Sequence, residues 1–230
     1  MSLNHSGNHE YSKNGRFTCE EEIANFISHF AGAILAGVGL TLMIVASAIK
    51  GNAWHIVSTA VFGSTMVLLY FSSAVAHGLT SGRSKQIFFT IDQAAIFLLI
   101  AGTYTPLALI TLKGAMGWVL FGLQWSLALV GILLKVLRPN RVGVGAGKAD
   151  IILYAGMGWT LLIAIVPIVR ALPVTGLVWI LIGGACYTFG IVFYKKAQFK
   201  FAHLVWHLMV MAGSISHFFA IFFYVIPASV

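Results

Sequence analysis

The sequence predicts an all-α integral membrane protein: a bundle of seven transmembrane helices with its N-terminus in the cytoplasm and its C-terminus outside. Of the 230 residues, 59% are hydrophobic and only 9% are charged, and the mean hydropathy is +0.93. A soluble domain carries about 25% charged residues, so this composition excludes a water-soluble enzyme, a nucleic-acid-binding protein and a disordered chain. The apolar residues form long continuous runs, whereas a membrane β-barrel has short alternating segments.

Charged residues divide the chain into seven stretches, and each stretch can hold the roughly 20 residues that a spanning helix needs. In order, these stretches lie between Glu22 and Lys50, Lys50 and Arg83, Lys85 and Lys113 (containing only Asp92), Lys113 and Lys135, Asp150 and Arg170, Arg170 and Lys195, and from Lys200 to the end. The predicted helices cover residues 25–49, 54–79, 87–112, 116–136, 150–169, 174–194 and 202–226. We therefore expect a polar cytoplasmic N-terminal segment, residues 1–22, followed by a seven-helix transmembrane domain, residues 23–230. Residues 1–22 contain no apolar core, so a cleavable signal peptide is not expected.

The distribution of basic residues predicts the orientation of the bundle. Eleven Lys and Arg residues lie in the N-terminal segment and the even-numbered loops, whereas only Lys50, Lys113 and Arg170 lie in the odd-numbered loops. Loops on the cytoplasmic side of a membrane carry the excess of Lys and Arg. The N-terminus is therefore predicted to be cytoplasmic, in a multi-pass protein of the plasma membrane.

Histidines near the ends of two predicted helices suggest a metal site. His203 and His207 are four residues apart, so they share one helix face, and Ser73 and His77 have the same spacing. Two histidines spaced in this way can bind one metal ion. The predicted topology brings these four residues and Asp92 to the cytoplasmic face. Three neutral imidazoles with one open position are the ligand set of a catalytic zinc site, so we expect bound zinc.

Other polar residues in the spans allow more than one interpretation. Asp92 could instead cap the third helix or pair with Arg83. Asn25 and His29, again four residues apart, either orient a metal ligand or form a simple interfacial pair. His217 lies about 15 Å deeper than His207 along the helix, too far to bind the same ion, and is expected to hydrogen-bond within the bundle or line a cavity.

Four sequence stretches resemble one family of membrane proteins. They are Glu21-Glu-Ile-Ala-Asn25-Phe-Ile-Ser-His29, Ser73-Ala-Val-Ala-His77, the segment from Phe89-Thr-Ile-Asp92 to Thr105-Pro106, and His203-Leu-Val-Trp-His207 followed by His217. The chain resembles the bacterial hemolysin III proteins, within the progestin and adipoQ receptor superfamily that includes the adiponectin receptors. This resemblance extends over nearly the whole chain, and it implies seven helices with the N-terminus inside.

The resemblance also implies roles for particular residues. Residues matching His77, His203 and His207 hold zinc in the family pattern, the residue matching Asp92 contacts a zinc-bound water, and Ser73 lies close by. The related alkaline ceramidases use a similar set to hydrolyse a lipid amide, which extends to this chain by analogy only. The family name refers to reported haemolysis, and bacterial members are linked to membrane-lipid homeostasis.

Three functions are consistent with these residues. The first is a zinc-dependent intramembrane hydrolase of a lipid amide or ester, with membrane lipids as its partners and Asp92 and Ser73 as catalytic residues. The second is a receptor-like protein or membrane-state regulator with a structural zinc and no turnover, whose protein partners the sequence does not identify. The third, a cytolysin, is disfavoured because the helices lack the water-facing polar stripe of a channel.

Overall fold

The computed structural model of the protein describes residues 17–137, 146–195 and 199–227. Within these ranges, seven helices are long and apolar enough to cross a membrane, which confirms the predicted fold class. We number them α1 (Cys19–Lys50), α2 (Ala53–Gly78), α3 (Arg83–Leu112), α4 (Gly114–Val136), α5 (Lys148–Ala171), α6 (Val174–Tyr194) and α7 (Ala202–Val225). Most of the predicted N-terminal segment, residues 1–16, lies outside the described residues.

Helix α1 begins at Cys19, earlier than the predicted residue 25, because a capping box starts it. The Thr18 backbone N–H donates to Glu21 Oε2 at 2.9 Å, and the Glu21 N–H donates to Thr18 Oγ1 at 3.3 Å. Acidic residues in the first turn also interact favourably with the helix dipole. Glu22 thereby lies inside the helix, on a face that packs against the rest of the bundle.

The helices pack mostly against their sequence neighbours, and α3 lies at the centre, with 67% of its apolar stretch buried. Two glycines bring neighbouring helices into close contact. A Cβ at Gly63 on α2 would lie 2.5 Å from a side-chain carbon of Leu40 on α1, and one at Gly213 on α7 would lie 2.6 Å from the ring of Tyr187 on α6. Small residues at helix interfaces allow such packing within a membrane.

Three helices depart from regular α-helical geometry, each outside its cytoplasmic end. After Pro106, α3 continues as a π-helix over Leu107–Leu112, and α7 ends as a π-helix over Ile221–Val225. Helix α5 contains a 3₁₀ turn over Thr160–Ala164. The cytoplasmic ends of α2 and α3 and the start of α7, which carry the candidate site residues, remain regular α-helix.

Candidate metal centre

Three histidines converge at the predicted cytoplasmic face. His77 lies in the last turn of α2, and His203 and His207 lie in the first two turns of α7. One nitrogen atom of each lies within 4.8 Å of the others, so the group could hold a metal ion. His77 and His207 are buried, whereas His203 is half-buried and contacts Phe17 with a ring separation of 4.7 Å. The chemistry of the donors fits zinc, which binds imidazole nitrogens.

Glu22 fixes the orientation of His77. Its Oε2 lies 2.6 Å from His77 Nδ1, and its Oε1 lies 2.9 Å from Lys85 Nζ. Lys85, itself only 1% exposed, also donates to the carbonyl of Leu79 at 2.6 Å. Since the carboxylate engages Nδ1, Nε2 is the ring nitrogen that His77 can offer to a metal ion. Metal-binding histidines commonly have such a carboxylate partner.

Ser28 fixes the orientation of His207. Its hydroxyl donates to the backbone carbonyl of Asn25 at 2.8 Å and lies 3.1 Å from His207 Nδ1. Because a hydroxyl has one hydrogen, the bond to His207 requires Nδ1–H to donate to Ser28 Oγ. This network assigns the tautomer in which Nε2 of His207 carries a lone pair for a metal ion.

His29 and Asn25 are buried beside the group. The His29 ring stacks on His207, with a centroid separation of 3.5 Å and an interplanar angle of 12°, and meets Tyr70 edge-on at 5.1 Å. Within the described part of the chain, neither ring nitrogen of His29 nor the side-chain amide of Asn25 has a hydrogen-bond partner. Buried polar groups are nearly always satisfied, so this environment suits an ion, ordered water or a polar ligand.

Asp92 and Ser73 line a cavity beside the histidines, with a volume of about 30 Å³. Such a volume holds about one or two water molecules. The helix cap of α3 is Gly82, so the interpretation of Asp92 as a cap is wrong. Arg83 lies about 14 Å from Asp92 along the helix, which is too far for an ion pair between the two side chains. The other residues lining the cavity are Phe17, His29, Leu69, Phe89, Gln93, Ile96, Tyr194, His203, Trp206, His207 and Val210.

His217 lies apart from the metal group, in the half of α7 farther from the cytoplasm. It stacks on Tyr187, with a ring separation of 5.5 Å, and packs against Gly183, where a Cβ would lie 2.6 Å from His217 Nε2. Among the described residues, His217 Nδ1 has no hydrogen-bond partner. The structure thus separates His217 from the histidines that converge on one point.

Sequence reasoning did not identify Glu22, Ser28 or Lys85 as parts of the site. A signal for Glu22 was available, because Glu22, Asn25 and His29 follow the i, i+3, i+7 spacing of one helix face. Recognising it requires α1 to begin before residue 22, as it does. No such pattern marks Lys85, because its burial depends on how the turn after α2 folds back.

The chain is similar to several known proteins. Residues 17–218 match the family model described as Haemolysin-III related. The chain is 41% identical over 208 residues to the Hemolysin-3 homolog of Bacillus subtilis (strain 168), an alignment that covers 90% of this chain and 96% of that protein. It is 40% identical over 210 residues to the Hemolysin-3 of Bacillus cereus, covering 91% and 94%.

The chain is also similar, at lower identity, to animal proteins. The chain is 26% identical over 225 residues to the monocyte to macrophage differentiation factor of Homo sapiens, covering 94% of this chain and 90% of that protein. Together with the seven helices, the bacterial relatives indicate a multi-pass protein of the cytoplasmic membrane. The resemblance that the sequence motifs predicted is confirmed, and the chain belongs to the haemolysin-III-related family.

Proposed function

We propose that this protein is a zinc-dependent intramembrane hydrolase that cleaves a lipid amide or ester and acts in membrane-lipid homeostasis. The observation that carries the proposal is the three-histidine group, two members of which, His203 and His207, line one cavity together with Asp92 and Ser73. Three protein ligands leave a coordination position for water or substrate, whereas structural zinc sites usually have four. The cavity lies between membrane-spanning helices, which points to a substrate that reaches it from the lipid.

The side chains around the cavity have complementary roles in this reaction. Zinc held by His77, His203 and His207 would supply Lewis-acid polarisation of a carbonyl and acidify water. Asp92 would accept a proton from the attacking water and return it to the departing amine or alcohol. The Ser73 hydroxyl would donate a hydrogen bond to the oxyanion that develops on the carbonyl oxygen.

Residues behind the ligands would keep this arrangement fixed. Glu22 and Ser28 contact Nδ1 of His77 and His207, which leaves Nε2 as the nitrogen through which each imidazole would bind a metal ion. Such partners typically change metal affinity or activity by about 10–100-fold when they are removed. Apolar walls formed by residues such as Leu69 and Val210 would limit the access of bulk water.

The test combines metal content with turnover. We expect detergent-purified wild-type protein to contain about one zinc per chain by mass spectrometry, matching one three-histidine site, and His207→Ala to lose it. His217→Ala is the matched control: it removes a buried histidine of the same helix outside the group, so zinc should remain.

Turnover is then measured on a panel of lipid amides and esters. Asp92→Asn should keep its zinc and lose at least about 100-fold in hydrolysis rate, as expected for removal of a general base. A zinc-loaded wild type that hydrolyses none of these lipids would contradict the hydrolase.

The alternative, a regulator with structural zinc, is favoured by one feature of the site. The contacts of Glu22, Lys85 and Ser28 tie α1 to α2, α3 and α7 at the level of the histidines. A metal ion bound by the three histidines would also fasten α2 to α7. In that case His77→Ala would sharply lower the Tm, while Asp92→Asn would leave both the Tm and the biological activity unchanged.

A further inference from the structure

A second feature of the bundle lies beside the metal group, on the surface between α1 and α7. Here an apolar groove of about 320 Å³ is open at the surface of the bundle. Its rim consists of exposed apolar side chains, including Leu35 (54% exposed) and Ile215 (40%). The rest of the lining includes Gly32 and Gly39 of α1, Met66 and Tyr70 of α2, and Ser214 and Phe218 of α7.

Two glycines of α1 form one wall of the groove. Gly32 and Gly39 are seven residues apart, so they lie on one face of the helix, two turns from each other. A Cβ at Gly32 would lie 3.0 Å from the Tyr70 ring, and one at Gly39 would lie 3.4 Å from the Phe218 ring. At Gly37, on a different face, a Cβ would have nothing within 4 Å. Side chains larger than glycine at position 39 would therefore occupy the groove.

The groove has one polar end. Tyr70 donates its hydroxyl hydrogen to Ser214 Oγ at 2.6 Å, and Ser214 Oγ lies 2.9 Å from the hydroxyl of Tyr187. Behind these hydroxyls, the Tyr70 ring contacts His29, and His29 stacks on His207. Two rings therefore separate the groove from the metal group. One of them belongs to His29, a 97%-buried side chain whose ring nitrogens have no partner among the described residues.

The order of polar and apolar groups matches a lipid of the cytoplasmic leaflet. Tyr70 lies two helical turns from His77 on α2, and Met211 lies one turn from His207 on α7, both on the side away from the cytoplasm. The groove thus extends from the level just above the histidines toward the middle of the bilayer. A cytoplasmic-leaflet lipid likewise has its ester or amide linkages near the cytoplasm and its hydrocarbon chains toward the centre.

We propose that the groove between α1 and α7 binds one acyl chain of a cytoplasmic-leaflet lipid, with the polar linkage of that lipid directed toward Tyr70 and His29. The binding of the chain follows from the shape, polarity and depth of the groove. Only the identification of the bound lipid as a substrate rests on the proposed hydrolase function. In that case Tyr70 and His29 are the side chains that lie between the linkage and the metal cavity.

The experiment is photo-crosslinking in vesicles. The full-length protein is reconstituted in phosphatidylcholine and phosphatidylglycerol vesicles containing phosphatidylglycerol with a diazirine at the middle of one acyl chain. After irradiation, mass spectrometry of the peptides should find the label concentrated near Leu35 of α1 and Ile215 of α7. Equal labelling of all lipid-facing helices would overturn the proposal.

Variants distinguish acyl-chain binding in the groove from general contact between the helices and lipid. Gly39→Leu should reduce labelling of these peptides severalfold, because the added side chain would take up space in the groove that the acyl chain needs. The matched control, Gly37→Leu, adds the same side chain to the same helix outside the groove and should leave labelling unchanged. Ile215→Trp narrows the groove from its exposed rim and should also reduce labelling, so the test does not depend on Gly39→Leu folding.

Two further results would distinguish lipid binding in the groove from a dimer contact and from hydrolysis. If Gly39→Leu converts a dimer to a monomer in size-exclusion chromatography with light scattering, the groove is a contact between two copies and the lipid proposal is wrong. If the label concentrates in the groove but no lipid is hydrolysed by zinc-loaded wild type, lipid binding is supported and only the hydrolase function fails.

Discussion

The cytoplasmic and outer halves of the bundle both bury polar side chains, but they join them differently. In the cytoplasmic half, charged groups meet across helices. Glu22 contacts both His77 and Lys85, and Lys135 Nζ lies 3.5 Å from Asp150 Oδ2, with every one of these residues buried. Placing a charge within a membrane is costly. Ionisable residues in spanning helices are therefore usually paired with one another, and they often mark a functional site.

Farther from the cytoplasm, most of the inter-helix hydrogen bonds are neutral. Ser47 of α1 lies 3.1 Å from Thr59 of α2, and the Trp125 indole of α4 donates to Thr105 Oγ1 of α3 at 3.1 Å. Hydrogen bonds of this kind contribute on average about 0.6 kcal/mol in membrane proteins. The comparison indicates that the cytoplasmic half contains the candidate metal centre and its charged contacts, while neutral bonds in the rest of the bundle stabilise helix packing.

The largest expected effect comes from breaking the charge network. Glu22→Leu leaves the Lys85 ammonium buried without its carboxylate, and removing one partner of a buried pair costs about 3–5 kcal/mol. We expect the free energy of unfolding, measured by SDS titration in mixed micelles, to fall by this amount. The double variant Glu22→Leu/Lys85→Met should regain most of the stability, whereas its zinc affinity should stay low because His77 still lacks its carboxylate partner.

The control for this experiment is Glu20→Leu. Glu20 pairs with Lys200 at the exposed start of the same helix. Exposed pairs contribute about 0–1 kcal/mol. A loss of stability in Glu20→Leu equal to that in Glu22→Leu would show that burial of the Glu22 network is not what matters.

An intermediate effect is expected from Ser28→Ala. The substitution removes the acceptor of the His207 Nδ1 hydrogen bond and so releases the imidazole tautomer. We expect the Kd for zinc, measured by competition with a fluorescent chelator, to rise about tenfold, the lower end of the range for such partners. Ser64→Ala, at an exposed serine of α2, is the control and should leave the Kd unchanged. An unchanged Kd in Ser28→Ala would mean that packing alone orients His207.

The sequence predicted the seven spans and the three histidines for a physical reason. Spanning helices need long apolar runs, and four-residue spacing places His203 and His207 on one face whatever the tertiary structure. The contacts of Glu22 and Ser28 could not be predicted in the same way. They depend on where α1 begins and on how α1 is rotated against α2 and α7, which packing over the whole bundle determines.

The smallest effect tests whether the two halves are independent. Thr59→Val keeps the side-chain shape but removes the hydroxyl that lies 3.1 Å from Ser47 Oγ. The free energy of unfolding should fall by only about 0.6 kcal/mol, and the Kd for zinc should not change, because Thr59 lies about 27 Å from His77 along α2. A weaker zinc affinity in Thr59→Val would show that α2 transmits changes in outer packing to the metal group, so that the two halves of the bundle are not independent.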